Sequence, residues 1–406
     1  MLICNSFYIF MQIVNLIFKM HALIQRKIES FVFQNLKVFP VVALLGSRQC
    51  GKSTLSKMLA GKIPNFLYMD LQNMSDLNKL SDPYLFIKNN KESTICLDEI
   101  QKMPEMFSIL RSIIDEDRRN GRFILLGSAS RELISNSAET LAGRIGLIEL
   151  TPFSISEIGY LKEFELYKHW FRGGYPESYL SANDSDSNLW RENFIRTYIE
   201  RDIPQLGFQL PALQLRRLLT MCAHSQGQIL NSFKLGESLS LTHPTIRRYI
   251  DLLEQTFVLR TLQPFIVNVK KRLVKSPKIF VRDSGILHRL LQIDGFNDLL
   301  GNPIFGSSWE GYVIENILSI AHDWTPYFYR TASGHELDLV LTRGKKVIAV
   351  ECKASTAPQL TKGFWKAIND VGAEMVYVIA PISDMYPVKE NVFVCGLNQF
   401  LKTLFP

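Results

Sequence analysis

The chain has no CxxC element and no two cysteines at metal-ligating spacing. Its six cysteines, Cys4, Cys50, Cys96, Cys222, Cys352 and Cys395, are scattered. That excludes a disulfide framework and a zinc cluster, and it fits a reducing cytosol. Internal repeats and low-complexity tracts are absent. Histidine is scarce, seven in 406 residues, and His243 and His288 read as ordinary core or surface residues. Only Met1 to Lys19 approaches a membrane-length apolar run. Asn5, Ser6, Gln12 and Asn15 interrupt it, whereas a span needs ~20 continuous apolar residues. It also lacks the basic start and small-residue cleavage site of a signal peptide. Residues 1–19 are therefore expected to be a non-native or disordered extension, with Met20 (or Met11) as the natural start. A cytoplasmic protein without a membrane partner is expected.

No strong charge imbalance exists either: 46 basic against 39 acidic side chains give +7. Such a balance permits a polyanionic partner without demanding one. Placement says more, because Lys234 to Arg289 holds eleven Lys and Arg against four acids. With 47% hydrophobic and 21% charged residues, the composition is that of globular domains. The length predicts two or three of them.

Apolar runs at Val41–Leu45, Phe66–Asp70, Thr94–Asp98, Arg122–Leu126 and Ile148–Leu150 alternate with helical stretches such as Met106–Arg119. That alternation predicts an α/β domain with a parallel sheet over 20–152. A helical linker or lid follows over 153–210. A winged-helix-like segment is expected over 211–290, its last helix Pro244–Gln255 leading into a strand at Phe257–Leu262. Over 300–406, a helix through Trp309–Leu318 and strands at Tyr327–Arg330, Leu337–Leu341, Val347–Cys352 and Met375–Ile379 predict a second α/β domain. Arg343-Gly344-Lys345 makes the turn between two of these strands.

Gly46-Ser47-Arg48-Gln49-Cys50-Gly51-Lys52-Ser53-Thr54 follows a buried strand and opens a helix. This is the phosphate-loop pattern: glycines let backbone N–H groups wrap a polyphosphate at a helix N-terminus. Lys52 would reach the β- and γ-phosphates, and Ser53 would ligate Mg²⁺. Asp98 and Glu99 end the strand Thr94–Asp98. Asp98 is expected to hold Mg²⁺ and Glu99 to polarise the attacking water. Ser128 is the candidate γ-phosphate sensor. Arg144 is preferred over Arg131 as the charge-stabilising arginine, acting in its own subunit or across to a neighbour. The cofactors expected are ATP and Mg²⁺.

Near the C-terminus, Asp338 leaves one strand and Glu351 lies on its hairpin partner, with Lys353 two residues on. Period-two alternation puts Glu351 and Lys353 on one face. Metal-assisted phosphodiester cleavage uses such carboxylates to hold Mg²⁺ beside a lysine. Glu315, with Glu310 as substitute, is the expected third carboxylate. In the basic middle, Arg247 and Arg248 on a helix, and Lys270, Lys271 and Arg272 on a wing, are expected to meet DNA phosphates and base edges.

The motifs Val41-Val-Ala-Leu-Leu-Gly-Ser-Arg-Gln, Cys-Leu-Asp-Glu-Ile-Gln101, Leu-Ala-Gly-Arg144-Ile, Gly173-Gly-Tyr-Pro-Glu177, Tyr198-Ile-Glu-Arg-Asp-Ile203 and Trp309-Glu-Gly resemble a family. It is that of bacterial and archaeal AAA+-like ATPases with a C-terminal domain of unknown function. The resemblance runs from about Met20 to the end. Cys50 and Ala129 depart from it, where a small or branched residue and a second serine are usual. The C-terminal pattern resembles the PD-(D/E)xK restriction-endonuclease-like fold. Together they imply an ATPase that binds DNA, with Mg²⁺-dependent cleavage by Asp338, Glu351 and Lys353. The alternative is a non-cleaving ATP-dependent switch that binds a protein partner or regulates DNA. Homo-oligomerisation is left open. A small-nucleotide kinase fits poorly, because no second phosphate-binding arginine set is present.

Overall fold

The computed structural model describes residues 24–128, 141–205, 211–266 and 274–405. The extension over 1–19, Ala129, Arg131, Lys270, Lys271 and Arg272 lie outside the described residues.

The run Val41–Gly46 forms β1, buried along its whole length. A parallel strand covered on both faces has no solvent side, so it can be apolar throughout. Alternate residues divide between two cores, Val41, Ala43 and Leu45 on one face and Val42 and Leu44 on the other. Around it stand β2 (Phe66–Asp70), β3 (Thr94–Asp98), β4 (Phe123–Ser128) and β5 (Ile145–Glu149). All pair in parallel, in the order β2-β3-β4-β1-β5. Helix α1 (Ile28–Val38) buries Ile28, Val32 and Leu36, spaced one turn apart, against β1 and β5. Helix α2 (Lys52–Ala60) follows the phosphate loop, and α3 (Met106–Glu116) packs five apolar residues onto the opposite face. In such sheets ligands bind outside the carboxyl ends of the strands, where the loop after β1 lies.

Helix α4 (Asp184–Thr197), capped by the Asn183 side chain, runs into a single π turn over Tyr198–Asp202. Beyond it come α5 (Ala212–His224), β6 (Gln228–Ile229), α6 (Ser232–Leu239), α7 (His243–Gln255), β7 (Leu259–Leu262) and β8 (Lys278–Val281). The three strands form an antiparallel sheet in the order β6-β8-β7. The strand predicted from Phe257 begins later, because Phe257 sits at φ 60° in the turn after α7.

The C-terminal sheet follows α8 (Phe305–Leu318). Its strands are β9 (Thr325–Arg330), β10 (Glu336–Arg343), β11 (Lys346–Cys352), β12 (Met375–Ala380), β13 (Met385–Lys389) and β14 (Val392–Gly396). Their order is β13-β14-β12-β11-β10-β9. The sheet is mixed: β11, β12 and β14 are parallel neighbours, and the remaining pairs are antiparallel. Helix α9 (Lys362–Val371) makes the crossover and covers one face, and α10 (Leu397–Leu404) packs on the other.

The helical segment that follows the parallel sheet packs against the later units. Trp170 and Phe171 share one core with Phe280 of β8, Trp309 of α8 and the C-terminal strands. Trp309 is fully buried, meets Trp170 edge-on at 4.9 Å and donates to the Ile379 carbonyl at 3.1 Å. Trp309→Ala would remove a large aromatic and leave a cavity. It is expected to cost about 3–5 kcal/mol, read as a lower chemical-denaturation midpoint.

Candidate functional site

Between β1 and α2 the backbone turns through Gln49 at φ 61° and Gly51 at φ 103°, the second a conformation that favours glycine. Gly46 is equally constrained, since a Cβ there would stand 2.2 Å from the Leu150 carbonyl oxygen. Lys52 is buried and donates to the Gly46 and Ser47 carbonyls at 2.9 and 2.8 Å. Ser53 and Thr54 lie on the first turn of α2, Thr54 exposed, and Ser47 is buried. Cys50 contributes backbone only: its side chain is buried in the core beneath the loop. Its carbonyl accepts from Arg26 at 3.0 Å.

The Ser53 hydroxyl lies 2.7 Å from Asp98 Oδ2. Neighbouring oxygen ligands of octahedral Mg²⁺, each 2.0–2.1 Å from the ion, lie about 3 Å apart. The pair therefore fits a shared ion, which would supply charge neutralisation to a polyphosphate. Tyr68 donates to the same Asp98 oxygen at 2.5 Å. Burial and this carboxylate raise the Tyr68 hydroxyl above its ordinary pKa, so it stays a donor. Glu99 adopts a left-handed backbone, φ 57°, a strained geometry for a non-glycine residue that clusters at functional sites. Gln101 binds the Glu99 carboxylate and reaches Ser128 Oγ at 3.3 Å, so Ser128, Gln101 and Glu99 form one chain.

Arg144 is not part of this group. It precedes β5, and its carbonyl accepts from Val41 N–H at 3.1 Å, at the start of β1. Gly46 is five residue steps further along that strand, about 16 Å away. The Arg144 guanidinium instead grips Asp115 of α3 at 2.9 and 2.5 Å. Within one chain it cannot reach a nucleotide in the loop. Sequence reasoning did not assign roles to Arg26, Tyr68, Gln101 or Asp202. Arg26, buried, ties Cys50 to Glu157 at 2.7 Å and to the Thr151 carbonyl at 2.6 Å. Asp202, at the end of the π turn, pairs with Arg48 of the loop. Burial raises the Asp202 carboxyl, and Arg48 and Arg201 oppose that rise. Both Gln101 and Asp202 stand inside motifs that were legible as such.

In the C-terminal sheet the hairpin places Asp338, Glu351 and Lys353 together. A register shift in β10 between Leu337 and Val340 re-aims Asp338, as bulges do. Its Oδ2 accepts from Cys352 N–H at 2.8 Å, and Lys353 Nζ meets Glu351 at 2.6 Å. Glu315 does not join them. It pairs with Arg260 and, at 2.9 Å, with Arg282. Burial would raise its carboxyl, but the two guanidiniums hold it below the ordinary value. The substitute, Glu310, takes that place, and a lysine comes with it. Lys278 of β8, 1% exposed, lies 2.7 Å from Glu310, 2.7 Å from Glu336 and 3.6 Å from Asp338. Although burial favours the neutral amine, these carboxylates raise Lys278. The residues do not fit a metal centre: among the described residues no three His, Cys, Asp or Glu side chains are placed to hold an ion.

Four carboxylates (Glu310, Glu336, Asp338, Glu351) face two lysines. Burial and the neighbouring carboxylates push Glu310 and Glu351 up to about 8, against the pull of Lys278 and Lys353. A carboxyl raised on folding binds its proton more tightly in the native state. Its contribution is complete below its unfolded pKa, near 4.5, and lost as pH rises through 8. Glu351→Gln is expected to flatten the fall in thermal stability between about pH 5 and 8.5. An unchanged slope in the variant would contradict the assignment.

On the middle unit, Arg247 and Arg248 are exposed on α7, and Lys234 is exposed on α6. Phe233, 68% exposed, stacks on His243 at 4.3 Å at the start of that helix. No helix among the described residues is long and apolar enough to cross a membrane.

Three family models match the chain in series. They are an AAA domain over residues 38–159, a domain of unknown function, DUF8612, over 163–297, and another, DUF4143, over 305–400. The first makes the N-terminal unit a P-loop ATPase domain. The uncharacterized protein Rv2008c of Mycobacterium tuberculosis is 36% identical over 364 residues, which cover 90% of this chain and 81% of that protein. An uncharacterized protein of Haemophilus influenzae is 23% identical over 296 residues, 65% of this chain and 73% of the other. Among solved structures, the Walker-type ATPase paby2304 of Pyrococcus abyssi overlaps with a TM-score of 0.43 at 14% identity. The overlap covers 66% of this chain and 96% of that one, too loosely to transfer any residue.

Proposed function

The chain belongs to the same family as the mycobacterial protein Rv2008c, and from its P-loop ATPase domain we propose a non-cleaving, ATP-driven switch that governs DNA engagement. ATP would draw Lys52 from the Gly46 and Ser47 carbonyls onto its β- and γ-phosphates, while amides of the loop take the remaining oxygens. Ser53 and Asp98 would hold Mg²⁺, with Tyr68 orienting Asp98. Glu99, released from Gln101, would polarise water, and Ser128 would report the γ-phosphate through the same chain. Arg144, held by Asp115 away from the loop of its own chain, would serve the nucleotide of a neighbouring copy.

The observation that carries the switch is the Arg48–Asp202 pair. It connects the phosphate loop directly to the helix leading into α5, α6 and α7. A ligand in the loop competes for Arg48, so that nucleotide state and helix position become linked. DNA as the partner is supported by the order α5-β6-α6-α7-β7-β8, which follows a winged helix, and by exposed Arg247 and Arg248 on the second helix of the pair. Cleavage is left out of the reading because Lys278 stands among the acids.

Lys52→Ala is expected to abolish ATP turnover without unfolding the chain. Asp202→Ala should retain turnover within a few-fold but remove any difference in DNA affinity between ATP- and ADP-loaded protein, measured by fluorescence anisotropy. Arg247→Ala with Arg248→Ala should weaken DNA binding and reduce its salt slope by about 1 for each phosphate no longer neutralised. Wild-type protein that binds no DNA at low salt would overturn the partner assignment and leave the ATPase intact.

A further inference from the structure

A lone exposed apolar side chain needs no explanation, but Phe233 is not alone. Its ring lies against the His243 imidazole at 4.3 Å, with 16° between the planes, while 68% of the residue faces solvent. One face of the phenyl ring is therefore taken and the other is open to water. Caps fix both helix starts that carry the pair. Asn231 accepts from Lys234 N–H at 3.1 Å, and Thr242 accepts from Thr245 N–H at 3.4 Å. The two rings are thus preorganised, and a third flat group would stack on Phe233 without first having to order either of them.

Cations accompany the pair. Lys234 follows Phe233 on α6, and Arg247 stands one turn beyond His243 on the same face of α7, with Arg248 next to it. All three are exposed. The exposed acids Glu237 and Asp251 lie one turn from Phe233 and two turns from His243 along the same helices. Lys234 also lines a groove of about 460 Å³ between α5, β6 and α6. Buried Cys222, Leu235 and Ile279 make its floor, and exposed His224, Gln228 and Lys234 stand at its rim. An apolar floor with a few polar groups around it suits a flat heterocycle.

The bases of a duplex are stacked on one another and present only their edges in the grooves. An exposed aromatic face meets a base there only at an end. An unpaired base offers its own face, and the phosphates beside it call for cations. We propose that the Phe233–His243 stack and the neighbouring groove take unpaired bases, so that the middle unit engages single-stranded DNA in preference to duplex. Lys234 and Arg247 neutralise the flanking phosphates. This rests on the DNA reading above and narrows it to one form of DNA.

The probes are a labelled mixed-sequence single strand and the duplex it forms with its complement, titrated with full-length protein and followed by fluorescence anisotropy. Wild type is expected to bind the single strand more tightly. Phe233→Ala, a surface change whose fold is checked by an unchanged thermal midpoint, should weaken the single strand at least about fivefold, the loss of one base–aromatic stack. Duplex affinity should not change. Because a phenyl ring releases no counterions, the salt slope should stay that of wild type. Phe233→Trp should keep the preference, and Gln228→Trp, which fills the groove from its rim, should weaken the single strand alone. Equal affinity of wild type for the two forms overturns the proposal and leaves DNA as the partner. So does a Phe233→Ala protein that loses both forms alike, or neither. Failure of wild type to bind either form strikes the DNA reading itself, and this inference falls with it.

Discussion

Arg282 is buried where three parts of the chain meet. It pairs with Glu149 at the end of β5 and with Glu315 on α8, while its own backbone follows β8. Arg260 of β7 shares Glu315. A guanidinium removed from water must keep its carboxylates, because breaking such a pair strands a buried charge at about 3–5 kcal/mol. The parallel sheet, the middle sheet and α8 are therefore held in one arrangement by an interaction that none can leave cheaply. Asp283, next in sequence, accepts from Gly174 N–H at 2.8 Å and fastens the turn after Trp170 and Phe171 to the same junction.

With that junction fixed, the phosphate loop has neighbours on two sides. Arg26, from the segment before α1, holds the loop's carbonyl at Cys50 and the β5 exit at Thr151. Arg48 reaches the opposite way to Asp202. One of these arginines anchors the loop within its own domain, and the other joins it to the helices beyond. Their different exposure matters: the Arg26 pair is deeply buried, whereas the Arg48 side chain is 23% exposed. Arg48 is the one within reach of water and ligand.

Much of this was legible in the sequence, for particular reasons. Val41–Leu45 announced a doubly covered strand because nothing in it needs water. Gly46, Gly51 and Lys52 announced the loop because few backbones fold that way. The hairpin of Asp338 and Glu351 was legible from period two. What stayed hidden were interactions between distant elements. Glu315 and Glu310 lie on one helix and look alike in sequence. Which one faces the acids depends on helix phase and on two arginines, Arg260 and Arg282, that lie more than thirty residues upstream of Glu315. Lys278, opening the run Lys278-Ile-Phe-Val281, gave no sign of burial. Arg144 looked like a finger by motif, but strand direction puts it at the end of the sheet opposite the phosphate loop of its own chain. The strand β13 was missed because Met385–Lys389 is an exposed edge with weak alternation, and β14 because Val392–Gly396 is a short apolar run with no periodicity to mark it.

The π turn at Tyr198–Asp202 holds one residue more than α-helical pitch accommodates. Were that surplus to leave the turn, the residue at its end would rotate by about 100° about the helix axis. The carboxylate of Asp202 then points away from Arg48 altogether.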